Sequence, residues 1–72
     1  MKAIIVTKEN NRIEGKLCMV GDYIITLDVD KQNIDSQVLT KLYNEGISAS
    51  EYQSDWHITI ARKKVESIEF ID

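Results

Sequence analysis

NRIEGKLCMVGDYIITLDVD, residues 11–30, is the stretch that decides the fold. Apolar and polar residues alternate along both of its halves, which is typical of β-strands with one buried face. The alternation falls out of step across Gly21 and Asp22, because a two-residue loop at these positions places Lys16 opposite Leu27. A sheet with one buried face does not accept that register, since a shift of one residue turns every side chain to the other face.

A three-residue loop, residues 20–22, restores a consistent apolar face between the two strands. Ahead of it, a two-residue turn at Asn10 and Asn11 pairs a first strand with the second, because asparagine tolerates the left-handed conformation of such turns. We expect Gly15, inside the second strand, to mark a bend that lets the sheet curl. The predicted inward face carries Ile4, Val6, Ile13, Leu17, Met19, Tyr23, Ile25, Leu27 and Val29, and the polar face carries Arg12, Glu14, Lys16, Thr26 and Asp28.

The middle of the chain carries the signals that begin and end helices. Asp35 is a suitable N-cap and Gly46 a suitable left-handed stop, which predicts a helix over residues 35–45. Ser48 and Glu51 then have the spacing of a capping box, so one or two further helical turns are expected there.

The last part of the chain, residues 56–71, returns to alternation. Its apolar spacing also suits a helix, but the density of β-branched residues favours strands. The whole pattern predicts a mainly β (α+β) single domain over residues 1–72, a small five-stranded antiparallel barrel with a helical insertion at residues 34–55. The strands are expected at residues 3–8, 12–20, 23–29, 56–61 and 65–71.

Composition limits the classes of function. The formal net charge is −3 and the pI is near 5.0, so any binding of nucleic acid needs a local basic patch. The one cysteine, Cys18, excludes an internal disulfide and fits a reducing compartment. With no leader-like segment and no long apolar run, we expect a cytoplasmic protein without membrane contact. A chain this short is also expected to gain stability by forming a homo-oligomer.

Two short motifs give the chain a resemblance to a known family. Ile13, Gly15 and Leu17 stand at alternate positions, and Ile60 is followed by Val65 and Ile68. In these motifs, and in the three-stranded meander followed by a terminal pair of strands, the chain resembles the Sm-like (LSm) family of small RNA-associated barrels. The resemblance implies an SH3-like, Sm-like barrel that assembles with copies of itself.

The polar residues of that family are only partly matched. Thr26 stands where the family has an asparagine, and Ala61-Arg62 stands where it has Arg-Gly. Ring-shaped members hold a nucleobase with that asparagine and arginine, so the resemblance does not imply the same base pocket here. It implies that the basic triplet Arg62, Lys63 and Lys64 keeps the electrostatic part of the site.

Residues that often carry chemistry have no partners at a meaningful spacing. No acid or nucleophile stands at a meaningful spacing from His57, which is interpreted as a surface or strand histidine. Cys18 is placed on the polar face near the turn and is interpreted as a small filler and not a nucleophile. The segment DVDKQNID, residues 28–35, begins like a calcium loop but lacks the glycine and the closing glutamate. We therefore expect no enzyme activity, no metal and no cofactor.

Two functions remain. The first is a non-catalytic binding module for RNA or other single-stranded nucleic acid, with Arg62, Lys63, Lys64, Tyr23 and Thr26 at the site. The second is a protein-interaction or regulatory module that uses the helical insertion at residues 34–55 and binds no nucleic acid.

Overall fold

The computed structural model describes residues 1–71, which form an open antiparallel sheet of six strands with one α-helix. Across the sheet the strands follow one another in the order Ser48–Tyr52, Asp55–Ala61, Ile24–Asp30, Arg12–Val20, Lys2–Thr7 and Val65–Ile71. The mainly β class with a helix is therefore confirmed, while closure of five strands into a barrel stays a prediction. The elements are β1 (Lys2–Thr7), β2 (Arg12–Val20), β3 (Ile24–Asp30), α1 (Ser36–Asn44), β4 (Ser48–Tyr52), β5 (Asp55–Ala61) and β6 (Val65–Ile71), with 3-10 turns at Lys31–Asn33 and Arg62–Lys64.

The 3-10 turn between β5 and β6 shows that the sheet is strongly curled. Its first backbone N–H, from Arg62, donates to the carbonyl of Tyr23 at 2.9 Å, and the carbonyl of Lys64 accepts from Lys8 N–H at 2.8 Å. The turn thus touches the start of β3 and the end of β1. In a flat sheet β5 and β6 would lie about 19 Å apart. The four chain steps between them span at most about 14 Å, so the sheet must bend to bring them together.

The hydrophobic core lies inside this curl. Strand residues supply most of it, and α1 with its flanking segments covers the rest. Burying one such side chain contributes about 1.5–3 kcal/mol, so the curled sheet and the helix depend on each other. The buried apolar residues are Ala3, Ile5, Ile13, Ile25, Leu27, Val29, Ile34, Leu42, Ile47, Ile58 and Ile60.

The first strand turns the opposite set of side chains inward from the set predicted. Ala3 and Ile5 are fully buried, whereas Ile4 and Val6 are only partly buried. Ile5 pairs with Ile13 across the hairpin, so the register is set differently from the predicted one. The assignment of Ile4 and Val6 to the inward face is wrong.

The cause lies in the β1–β2 loop. Thr7 N–H donates to the carbonyl of Asn11 at 2.9 Å, so the loop holds the three residues 8–10 and not the predicted two. Asn10 takes the left-handed conformation, with φ 66°, at the last of these positions. Because the loop is also centred earlier in the chain than the predicted turn, β1 is shifted against β2 by three residues from the predicted register, and a shift by an odd number reverses the inward face of β1.

The second hairpin resolves its mismatch with a β-bulge. Leu17 pairs with Leu27 and Met19 pairs with Thr26, so Cys18 is an extra residue in β2 without an opposite partner. The loop itself is short, since Gly21 N–H donates to the carbonyl three residues on at 2.8 Å and encloses only residues 22–23. The predicted three-residue loop is wrong. Ile25, Leu27 and Val29 of β3 are buried as predicted, whereas the assignment of Met19 and Tyr23 to the inward face is wrong, because both are exposed near the turn.

The predicted helix is confirmed at both ends. The Asp35 carboxylate accepts from Val38 N–H at 2.9 Å, which caps the first turn of α1. Gly46 has φ +83°, and the next N–H donates to the carbonyl of Leu42 at 2.9 Å. No helix within residues 1–71 is long and apolar enough to cross a membrane.

The expected helical turns at Ser48 and Glu51 are absent from the described residues, and this expectation is wrong. Ser48–Tyr52 is strand β4, which pairs with β5 in antiparallel register. Its hydroxyl and acidic residues are exposed on the edge of the sheet. The capping-box spacing was outweighed because pairing with β5 satisfies the backbone of this segment.

Candidate functional site

A cleft of about 450 Å³ lies where the β2–β3 turn meets the 3-10 turn after β5. Three of the predicted site residues line it, namely Tyr23, Arg62 and Lys63, together with Asp22 and Ala61. The two turns lie side by side because the first residue of β3, Ile24, pairs with the last residue of β5, Ala61. Residues about 40 positions apart in sequence are thus brought to one end of the sheet.

Arg62 is held in place at this cleft by two hydrogen bonds to the β2–β3 turn. Its backbone N–H donates to Tyr23 at 2.9 Å, and its Nη1 donates to the carbonyl of Gly21 at 3.0 Å. A guanidinium has five N–H donors in a planar fork. The bond to Gly21 therefore orients the fork and leaves other donors for a ligand.

Tyr23 is the most exposed large hydrophobic residue of those described, with 85% of its surface accessible. Its backbone is fixed by the bond from Arg62, and the residue lines the same cleft as Arg62, Lys63 and the acid Asp22. An exposed ring next to positive charge offers a flat surface for a base and electrostatic attraction for a phosphate.

The other two predicted site residues lie elsewhere. Lys64 Nζ donates to the backbone carbonyl of Glu45, at the end of α1, and its residue is partly buried. Thr26 is only 8% exposed and sits in the middle of β3. The structure thus brings three of the five predicted site residues to one cleft, and contact of the basic triplet with a ligand stays a prediction.

Glu45 is a buried acid that the sequence did not single out. Its carboxylate, 6% exposed as a residue, accepts from Glu9 N–H at 3.2 Å and from Asn11 Nδ2 at 2.9 Å. Burial alone disfavours its charged form, but hydrogen bonds from Asn11, Thr7 and Glu9, with the Lys64 charge, hold the pKa of Glu45 below its ordinary value. This acid fastens the β1–β2 loop to α1.

A second group of side chains lies on the polar face of the sheet. His57 Nδ1 is 2.7 Å from an Asp28 carboxylate oxygen, because these residues pair directly across β3 and β5. The bulge brings Cys18 to the same place, and one ligand atom from each of the three residues lies within 4.8 Å of the others. His57, for which sequence spacing indicated no partner, is thus beside Asp28 with Cys18 close to both, while its interpretation as a strand histidine agrees with its place in β5.

The local chemistry of this cluster is that of a thiol beside a hydrogen-bonded histidine and carboxylate. The hydrogen bond with His57, then the one with Cys18, lowers the pKa of Asp28. Partial burial, followed by the hydrogen bond and charge of Asp28, raises the pKa of the Cys18 thiol. A thiol with a raised pKa stays protonated at neutral pH, which does not favour a cysteine nucleophile.

Sequence spacing did not reveal the cluster because its members come from three strands. Alternation could have indicated part of the cluster, because it places Asp28 on the polar face of β3 and His57 on the polar face of β5. Cys18 reaches the cluster only through the bulge, which alternation alone does not locate.

Comparison with known proteins gives no family assignment. No protein-family model matches the chain, and searches of curated proteins and of solved structures find no similar protein. The function of this chain is therefore inferred from its own geometry.

Proposed function

We propose that this protein is a small non-catalytic binding module of the Sm-like kind, which holds single-stranded RNA or other single-stranded nucleic acid in the cleft of Tyr23, Arg62 and Lys63. The observation that carries the proposal is the exposed Tyr23 ring beside two cations in a cleft of about 450 Å³. The proposed fold is a barrel made by β6, β1, β2, β3 and β5, with β4 as an added edge. The short turn between β5 and β6 supports closure of this kind.

Single strands suit the cleft better than a duplex because stacking requires a free base. A base stacked on an aromatic side chain gains about 1–3 kcal/mol, whatever its identity. Arg62 and Lys63 would hold the neighbouring phosphates and so position the strand without reading its sequence. Because the chain as a whole has a net charge of −3, the attraction of a phosphate depends on the cations of the cleft.

The proposal predicts how the affinity for single-stranded nucleic acid falls as salt concentration rises. The amine of Lys64 bonds to Glu45, so two cations remain to neutralise phosphates. Each phosphate contact on a single strand contributes about −0.7 to the log-log slope of affinity against salt, so a slope near −1.4 is expected for each chain. All three basic residues together would give about −2.

The test is a salt series of fluorescence-anisotropy titrations with a labelled single-stranded oligouridylate. The double variant Arg62→Ala with Lys63→Ala is expected to flatten the slope to near zero. A control variant, Lys2→Ala with Lys41→Ala, changes the net charge equally at positions outside the cleft and should keep the wild-type slope. Absence of wild-type binding at about 50 mM salt, or an unchanged slope in the double variant, rejects the proposal.

The alternative is a protein-interaction module that uses the segment between β3 and β5. Tyr43 on α1 and Tyr52 on β4 are 51% and 66% exposed, which supports a contact surface there. If the cleft variants change nothing, we expect Tyr43→Ser with Tyr52→Ser to disrupt binding of a protein partner.

We also propose that the protein forms homo-oligomers through its edge strands. Within residues 1–71, β4 pairs only with β5 and β6 pairs only with β1. The proposed closure between β5 and β6 uses their connecting turn and no ladder, so both strands still present unpaired backbone groups. Pairing of one copy's edge with another's is a common way to satisfy such groups. Light scattering at tens of micromolar should give a mass above that of a monomer, and a monomer mass would reject this part of the proposal.

A further inference from the structure

The β-bulge in β2 assembles three side chains with the chemistry of metal ligands. The Cys18 Sγ, an Asp28 carboxylate oxygen and a His57 ring nitrogen lie within 4.8 Å of one another on the polar face of the sheet. They supply one sulfur, one oxygen and one nitrogen from three different strands. We call these residues the polar-face cluster.

Packing does not explain the cluster. Cys18 is exposed, and the side chains of Asp28 and His57 are 35% and 43% exposed. Even a charged pair with this exposure contributes only about 0–1 kcal/mol to stability. The bulge, in turn, leaves Cys18 outside the regular β2–β3 pairing. Bulges often occur beside functional sites, where they re-aim one side chain.

We propose that the polar-face cluster binds Zn²⁺ or a closely similar divalent transition-metal ion. Mixed sulfur, nitrogen and oxygen ligands suit zinc, which takes a tetrahedral geometry. Bond lengths of about 2.0–2.3 Å place the ligand atoms of such a site roughly 3.3–3.8 Å apart. The ligand atoms already lie within 4.8 Å of one another, about 1 Å beyond that spacing, and rotation of these partly exposed side chains can close the difference.

Binding changes the protonation of two groups. The Cys18 thiol loses its proton to solvent and binds as a thiolate, as sulfur ligands of zinc do. His57 Nδ1 must carry no hydrogen to bind the ion, so the Nδ1 proton passes to solvent, the ring carries its one remaining hydrogen on Nε2, and the freed Nδ1 electron pair binds the ion. Three protein ligands leave the fourth tetrahedral position for water or another ligand.

The test is a titration of the full chain with Co²⁺ under reducing conditions, followed by displacement with Zn²⁺. We expect one ion per chain, with visible bands of tetrahedral cobalt and a near-ultraviolet charge-transfer band from the thiolate. Zn²⁺ should remove both signals. It should also raise the thermal unfolding midpoint of the wild-type protein, because an ion that binds only the folded state stabilises it.

Each ligand has its own variant. Cys18→Ser should abolish the charge-transfer band, while Asp28→Asn and His57→Ala should each weaken Co²⁺ binding by at least about tenfold. Glu69→Gln, which removes an exposed acid on β6, serves as the charge-matched control and should bind like the wild type. Circular dichroism confirms that each variant is folded before metal is added.

Three results would overturn the proposal. The first is no cobalt signal at about 100 μM metal, an affinity too weak for a specific site. The second is a charge-transfer band that disappears in Cys18→Ser but is unchanged in Asp28→Asn and His57→Ala, which indicates that the thiolate alone binds the metal. The third is a stoichiometry of half an ion per chain, with the mass of the protein doubling only when metal is added, which indicates an ion that bridges the cysteines of two chains.

Discussion

Asn11 donates a hydrogen bond to the buried Glu45 carboxylate at 2.9 Å, which joins the β1–β2 loop to the end of α1. Glu9 N–H bonds to the same carboxylate, and Lys64 bonds to the carbonyl of Glu45. One acid thus connects the first hairpin, the helix and the turn before β6. This connection fixes the loop that sets the register of β1.

Replacement Glu45→Gln tests this connection through pH. Because the pKa of Glu45 is lowered on folding, its carboxylate stabilises the fold above its unfolded pKa of about 4.3, and the stabilisation is lost as pH falls through the folded value. The variant should lose about 1.5–3 kcal/mol at pH 7 and show a smaller decline of stability in acid. Urea unfolding between pH 3 and 7 measures both. An equally steep acid decline in the variant would contradict this role.

Deletion of Cys18 tests the bulge. Without this residue Leu17 and Met19 become consecutive, and the β2–β3 ladder continues in one register. We expect the deletion variant to stay folded, with the free energy of unfolding changed by less than about 1 kcal/mol. Deletion of Thr59 is the control, since β5 has no bulge and the loss would turn the buried Ile60 outward. That variant should be unfolded by circular dichroism, and equal damage from both deletions would count against the bulge.

Gly15→Ala tests the close approach of β2 and β3. A Cβ at Gly15 would lie 2.5 Å from the backbone oxygen of Asp28, which is too close for any real contact. Overpacking against a paired backbone should lower the free energy of unfolding by about 1–3 kcal/mol. Gly21→Ala, whose Cβ would lie 3.2 Å from its nearest atom, should cost less. Thermal unfolding midpoints compare the two variants. A lower midpoint for Gly21→Ala than for Gly15→Ala would show that the close approach at Gly15 does not limit its side chain.

Asp28→Asn should make Cys18 more reactive. The Asp28 carboxylate is, after partial burial, the main cause of the raised pKa of the Cys18 thiol. Its removal lowers that pKa, so a larger fraction of thiolate is present at neutral pH and alkylation by iodoacetamide is faster. The control Glu69→Gln should react at the wild-type rate. A rate in Asp28→Asn at or below that of the wild type would show that the carboxylate does not suppress the thiolate.

The sequence predicted those parts of the fold that depend on local signals. Asp35 and Gly46 mark the helix ends through their own side chain and backbone, and both predictions hold. Alternation in β3 identified its inward face correctly. The register of the first hairpin was missed because its loop is fastened by Glu45, an acid more than 30 positions away.

The bulge shows the limit of alternation. A pattern of period two reveals that one extra residue lies between the faces of β2 and β3, but it does not say whether that residue belongs to the loop or to the strand. The structure places it in the strand, as Cys18. The same limit applies to the predicted site residues. Strand pairing brings together Tyr23, Arg62 and Lys63, whereas the amine of Lys64 donates to a carbonyl of Glu45 that the sequence did not indicate.

The most direct test of the proposed nucleic-acid site is a map of backbone amide shifts as a short single-stranded RNA is added. The proposed function predicts that the largest changes fall on residues 21–24 and 61–63, the two segments that form the cleft, and that they disappear in the Arg62→Ala, Lys63→Ala double variant. Changes confined to α1 and β4, or no changes at saturating RNA, would contradict it.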